Sequence, residues 1–123
     1  MRLFSVLAVT LLVAACSTAG REPVSVLVGS EVPEADACPA LGIMASAEIL
    51  RDAPQGTAAV VAPLAKGAEV YLCDVSRDGK WHGVVVAQPS GCGVSSPTPG
   101  RRAYAGPCQS GWVPAHRIHV VAG

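Results

Sequence analysis

Cysteine and histidine are the residues whose types and spacing bear most directly on chemistry here. Cysteines stand at 16, 38, 73, 92 and 108, and histidines at 82, 116 and 119. A structural zinc site needs closely paired thiols such as C-x-x-C, and no two cysteines are that close. There is no H-E-x-x-H, no G-x-S-x-G, and no glycine loop leading from a strand into a helix to cradle phosphate. A strand would turn His116 and His119 to opposite faces; only a helical turn would bring them together. Solvated surface is the plainer reading of all three histidines. Asp52, Asp74 and Asp78 lie in or beside expected turns, and nothing in their spacing selects a paired acid and base. These patterns predict no catalytic residue, no metal ligand and no cofactor.

An odd thiol needs an explanation, and the amino terminus offers one. Residues 1–16 read MRLFSVLAVTLLVAAC, with Arg2 ahead of an uncharged run from Leu3 to Ala15. That run is short of the roughly 20 residues a helix needs to cross a bilayer core, but it suits a secretory signal. Val13-Ala14-Ala15-Cys16 resembles the lipobox of bacterial lipoproteins. The resemblance implies removal of signal peptide 1–15, a diacylglycerol on the Cys16 sulfur and a fatty acyl group such as palmitate on its new amine. It also implies attachment to a membrane through the lipid. With Ser17 rather than Asp next, it implies the outer membrane, facing the periplasm, in a source with two membranes. The plainer alternative is an ordinary signal peptide with Cys16 incidental.

Lipidation of Cys16 leaves four cysteines, an even number suited to two disulfides in an oxidising compartment. Four allow three connectivities. Cys92–Cys108, pinching the base of a loop, and Cys38–Cys73, pinning the start of a domain to a central strand, form the favoured set.

The elements that must position these groups are short. The chain has 123 residues, with 13 Gly, 10 Pro and five aromatic side chains. One domain fits that length, and the turn-rich composition favours an all-β fold over long helices. Nine basic and nine acidic residues balance, which argues against a nucleic-acid partner. Residues 16–37 read as the lipidated cysteine and a flexible tether, with a short extended piece at Val24–Val28. The domain reads as 38–123. Strands are expected at Met44–Leu50, Ala59–Ala62, Glu69–Val75, Lys80–Ala87, Gly111–Pro114 and Arg117–Val121. Asp78-Gly79 carries a hairpin signal. From Gln88 to Ser110 the density of Gly, Pro and Ser predicts an irregular inserted loop.

Several pieces then fall in one order. Ile49-Leu50-Arg51-Asp52-Ala53-Pro54 comes first and Ala59 to Val70, with Leu64 and Gly67, second. Gly79-Lys80-Trp81 with Val84 follows, then Gly111-Trp112-Val113. This order resembles the bacterial SH3 (SH3b) family, whose pattern runs hydrophobic-Arg-x-x-Pro, hydrophobic-hydrophobic-x-x-Leu-x-x-Gly, a strand-opening Trp and Gly-Trp-Val. The resemblance spans about 49–121. It implies a small extracytoplasmic SH3-like barrel, here with a long disulfide-bounded insertion, and recognition of cell-wall peptides as in several members. The segment between the Trp81 strand and Gly111 is longer than the family's short turn, and Glu48 stands where the family has Asn.

Binding is therefore the expected function. Trp81, Tyr71 and Tyr104 offer flat faces for sugar rings or extended peptide, and Arg51, Arg101 and Arg102 offer partners for carboxylates. Peptidoglycan carries both chemistries, and an envelope protein is the other candidate partner. The bland reading puts Trp81 in the core and leaves Arg101 and Arg102 solvated. A different class of function is a small inhibitor of a periplasmic or secreted hydrolase, acting through the Cys92–Cys108 loop.

Overall fold

A computed structural model describes residues 22–123; signal segment 1–15 and Cys16 lie outside the described residues. The strands are β1 (Leu27–Val28), β2 (Ala40–Met44), β3 (Glu48–Arg51), β4 (Val60–Leu64), β5 (Glu69–Val75), β6 (Trp81–Val86), β7 (Arg102–Ala103), β8 (Ser110–Pro114) and β9 (Ile118–Ala122). One 3-10 turn, Ala115–Arg117, joins the last two. β1 pairs with β7, and the other strands form one sheet in the order β4-β3-β8-β6-β5-β2-β9. The fold is all-β, as composition predicts. The expected strand Met44–Leu50 is instead the end of β2 and most of β3, broken at 45–47.

Connection lengths require this sheet to curl. Only residues 45–47 join β2 to β3, yet these strands stand four places apart in the sheet. Four spacings in a flat sheet measure ~19 Å, whereas the chain from Met44 to Glu48 reaches at most ~14 Å. The 3-10 turn crosses an equal gap, from β8 to β9. The two crossovers are tied together. Ala45 N–H donates to the Arg117 carbonyl at 2.8 Å, and the Arg117 guanidinium reaches Ser46 Oγ at 3.1 Å and Glu48 at 3.6 Å. The edges β4 and β9 do not pair with each other, so the expected barrel is a curled sheet that stays open.

Curling gives the sheet an inside and an outside, and β5, β6 and β8 bury residues on both. Met44, Leu50, Leu64, Val70, Leu72, Val84 and Val113 fill the inner face. Cys73, Val85 and Trp112 point the other way, with Tyr71 and Trp81 beside them, into a second cluster. The alternation Val70/Tyr71/Leu72/Cys73 on β5, Val84/Val85 on β6 and Trp112/Val113 on β8 thus runs between two cores. A strand buried on both faces reads as a nearly continuous apolar run, which explains the loose alternation of Glu69–Val75 in the sequence.

The outer face is covered by segments from outside the sheet: Val26, Val28, Ala37 and Cys38 from the amino-terminal side, and Cys92, Val94 and Cys108 from the insertion. Part of the stretch expected to be a tether is therefore domain. Val24 N–H donates to the Asp52 carbonyl at 2.8 Å, and Trp112 Nε1–H donates to the Val24 carbonyl at 2.8 Å. Among the described residues, folded structure extends back to Val24, well before Cys38. The physical reason is that Trp112 and Cys73 would otherwise face water.

The insertion is likewise more ordered than its composition predicts. Its backbone is bonded along the amino-terminal segment: Cys38 N–H to the Val94 carbonyl, Ala37 to Ser96, Ser30 to Thr98, and Tyr104 to Val26. β1 and β7 continue the same ladder. Both favoured disulfides are formed, Cys38–Cys73 and Cys92–Cys108. The first fixes the covering layer to β5, and the second closes the insertion. Loops of 35 and 16 residues correspond to about 4 and about 3 kcal/mol of unfolded-state entropy removed.

At Gly29 the two covering segments meet backbone to backbone. Its φ is +96°, and a Cβ there would run into the Gly100 carbonyl oxygen. Gly29→Ala is expected to lower stability by about 1–3 kcal/mol through backbone strain alone, read as an earlier urea midpoint in tryptophan fluorescence. An unchanged midpoint would mean that this contact does not hold the outer layer.

Candidate functional site

The residues expected to contact a ligand do not converge. Arg51 lies on β3, where its Nη1 donates to the Ala58 carbonyl at 2.9 Å and braces the β3–β4 loop. Tyr104 is half-buried inside the insertion. Its hydroxyl donates to the Cys92 carbonyl at 2.9 Å and accepts from Cys108 N–H at 3.2 Å. Its hydroxyl therefore spans the base of the disulfide loop, and its ring packs in part against the outer core. Arg102 stands exposed on β7, opposite Val28. Arg101 pairs with Asp74 at 3.2 Å, on another part of the surface from Trp81's cleft.

Arg101 lines a hollow with Asp74 and His82, and Trp81 lines a separate cleft. It opens β6, half-buried, with part of its ring against the outer core. Gly79, Lys80, Pro114, Ala115 and His116 complete a cleft of about 400 Å³. Two turns build it. Trp81 faces Pro114 across β6 and β8, and Ala115 N–H donates to the Lys80 carbonyl at 2.8 Å, locking the 3-10 turn to the β5–β6 hairpin. Sequence reasoning passed over Pro114, Lys80 and His116 as site residues. The available signal was Pro114 directly after Gly-Trp-Val, where the strand must end and turn toward Trp81.

The hairpin that presents Trp81 is stiffened by its own side chains. Asp78 Oδ1 accepts from the Ser76 hydroxyl at 2.6 Å and from Lys80 N–H at 3.0 Å. Ser76 Oγ in turn accepts from Trp81 N–H at 3.1 Å. Gly79, at φ 72°, takes the left-handed position that the Asp-Gly signal predicts.

The remaining candidates for chemistry lie apart. His116 is in the 3-10 turn and His119 on β9, so the helical turn that would unite them is not formed. Among the described residues, no three His, Cys, Asp or Glu side chains converge to hold a metal ion. Asp74 is the most connected carboxylate. It accepts from Leu27 N–H at 3.1 Å, Val75 N–H at 2.8 Å and Arg101, and so joins β1, β5 and the insertion. That role is architectural.

The Ser76 hydroxyl, then the Lys80 backbone N–H, hold the Asp78 carboxyl below its ordinary 3.8. A depressed carboxylate contributes stability above its unfolded value and loses it as pH falls through the folded one. The hairpin is therefore expected to loosen only in acid below the ordinary carboxylate range. Ser76→Ala should raise the Asp78 titration midpoint, followed by carboxyl carbon NMR; a midpoint that stays put would remove the hydroxyl as the cause.

Compared with known proteins, the chain matches no family model, no curated protein and no solved structure.

Proposed function

We propose that this chain is a non-catalytic binding module of the bacterial cell envelope, lipid-anchored through Cys16, that contacts peptidoglycan or an envelope protein through the Trp81 cleft. The observation that carries the reading is the cleft itself: a half-buried indole beside Pro114, flanked by Lys80 and His116. An indole face with a proline at its side suits a sugar ring or an extended peptide. Lys80, with His116 when protonated, complements the carboxylates that peptidoglycan stems carry. The hairpin and the 3-10 turn hold these groups in place before any ligand arrives, which reduces the ordering cost of binding.

The inhibitor alternative draws less support. Its active element would be the 93–107 loop, and that loop is occupied along much of its length by the chain's own amino-terminal segment.

The test is sedimentation with purified peptidoglycan. The mature domain is expected to pellet with the wall, and Trp81→Ala to weaken this by roughly tenfold or more, the cost of one well-packed aromatic anchor. Tyr104→Phe should leave wall binding intact. A wild-type domain that stays in the supernatant excludes the wall as partner, and Trp81→Ala binding equally well excludes the cleft.

Anchoring is tested separately. Membrane-extracted protein should have a mass that lacks 1–15 and includes a diacylglyceryl group. A Cys16→Ser form that still fractionates with membranes would contradict lipidation.

A further inference from the structure

A second concavity, lined by none of the residues of the Trp81 cleft, lies where Val75 and His82 pair at the base of the β5–β6 hairpin. It is about 540 Å³, within the usual range for small-molecule sites, and its floor is made by Ala40, Leu72, Val75 and Val120, with Pro39 and the Cys38–Cys73 disulfide at one end. Val75 and Val120 are both exposed there. The charged or titratable groups lining it are Asp74, Arg101 and His82.

These three are not equivalent. The Asp74 side chain is 15% exposed, and both its oxygens are taken by Leu27 N–H, Val75 N–H and Arg101. The Arg101 side chain is 41% exposed. It donates once to Asp74 at 3.2 Å and once to the Gly29 carbonyl at 3.4 Å, which leaves guanidinium N–H groups to spare. His82 turns one ring nitrogen toward the Asp74 carbonyl at 3.4 Å. The mouth therefore offers donors to an anion, and Asp74, the one carboxylate in its lining, is already bonded to Leu27, Val75 and Arg101.

The floor says what the rest of the ligand must be. β5 lies between β2 and β6, and Leu72 is in register with Ala40 on one side and Val84 on the other. The backbone groups of β2 and β5 are consumed by the sheet and Pro39 has no N–H to give, so only the outer edge of β9 keeps backbone partners to offer. A peptide backbone laid here would lose water and find few partners, at a cost for each unpaired group. A hydrocarbon chain carries no such penalty.

We propose that this groove binds a fatty acid, with its alkyl chain along Leu72, Val75 and Val120 and its carboxylate on Arg101. The test titrates the labelled domain with decanoate below its micelle concentration and follows backbone amide NMR signals. Decyltrimethylammonium and 1-decanol serve as chains of equal length with other heads. Decanoate is expected to shift Ala40, Val75, His82, Arg101 and Val120, and to bind roughly tenfold tighter than either control, as one charge-assisted contact allows. Arg101→Gln should abolish that preference, and Arg101→Lys should restore part of it. Val75→Asp, on an exposed side chain, should block all three chains and leave the rest of the spectrum in place.

Trp81→Ala should change none of this, which separates the groove from the wall-binding reading. Equal affinity for the three heads, or a preference that survives Arg101→Gln, overturns the assignment. So does an apolar acidic peptide that shifts the free edge of β9 while decanoate shifts nothing.

Discussion

Burial of the outer face of β5, β6 and β8 is the constraint on which the rest of the molecule depends. A sheet that curls around one core ordinarily leaves its outside to water. Here Trp112, Cys73 and Val85 point outward and are buried, so something beyond the sheet must cover them. The amino-terminal segment and the insertion do this, and neither does it alone: each supplies backbone partners to the other. The domain is thus two layers on one sheet rather than a barrel with a loop hanging from it. The outer layer has little regular structure. It is held by the ladder between its segments, by Asp74 reaching across to β1 and the insertion, and by two covalent closures.

That arrangement divides the surface. One end of the sheet carries the hairpin and the 3-10 turn, whose mutual hydrogen bond shapes the Trp81 cleft. The base of the same hairpin borders a second hollow, lined by Val75 and His82 together with Leu72 of β5, Ala40 of β2 and Val120 of β9. Covering the outer face uses Tyr104, and bracing the β3–β4 loop uses Arg51. Residues that look available for binding in a string of letters are thus committed to structure. Trp81 escapes because it begins its strand, at the margin of the outer layer, where its ring is only partly buried.

How legible each part was depended on how local its cause is. The runs Glu69–Val75 and Trp81–Val86 announce strands through their own β-branched and apolar residues. Ser76 to Gly79 announces a turn, and Gly111-Trp112-Val113 a buried strand. β2 was missed because Pro39 and Gly42 look like loop residues. Gly42 is there because Ile118 of β9 crosses directly over it, a requirement imposed by a segment far along the chain. β1 and β7 are two residues each and exist only as each other's partners. The insertion reads as irregular because its longest run of backbone bonds goes to the amino-terminal segment.

By itself, then, the order of residues determined an all-β chain with turns in defined places, and enough apolar character in three strands to need cover on both faces. It also supplied an even set of cysteines in the domain. These follow from side-chain chemistry acting over a few neighbours. Only the tertiary structure decided which aromatic ring stays available, which arginine keeps free donors, and that folded chain extends back well before Cys38. Those outcomes depend on which distant segment reaches a given surface first and satisfies its backbone. Trp112 bonds the carbonyl of Val24, 88 positions away, and no local pattern records a contact of that kind.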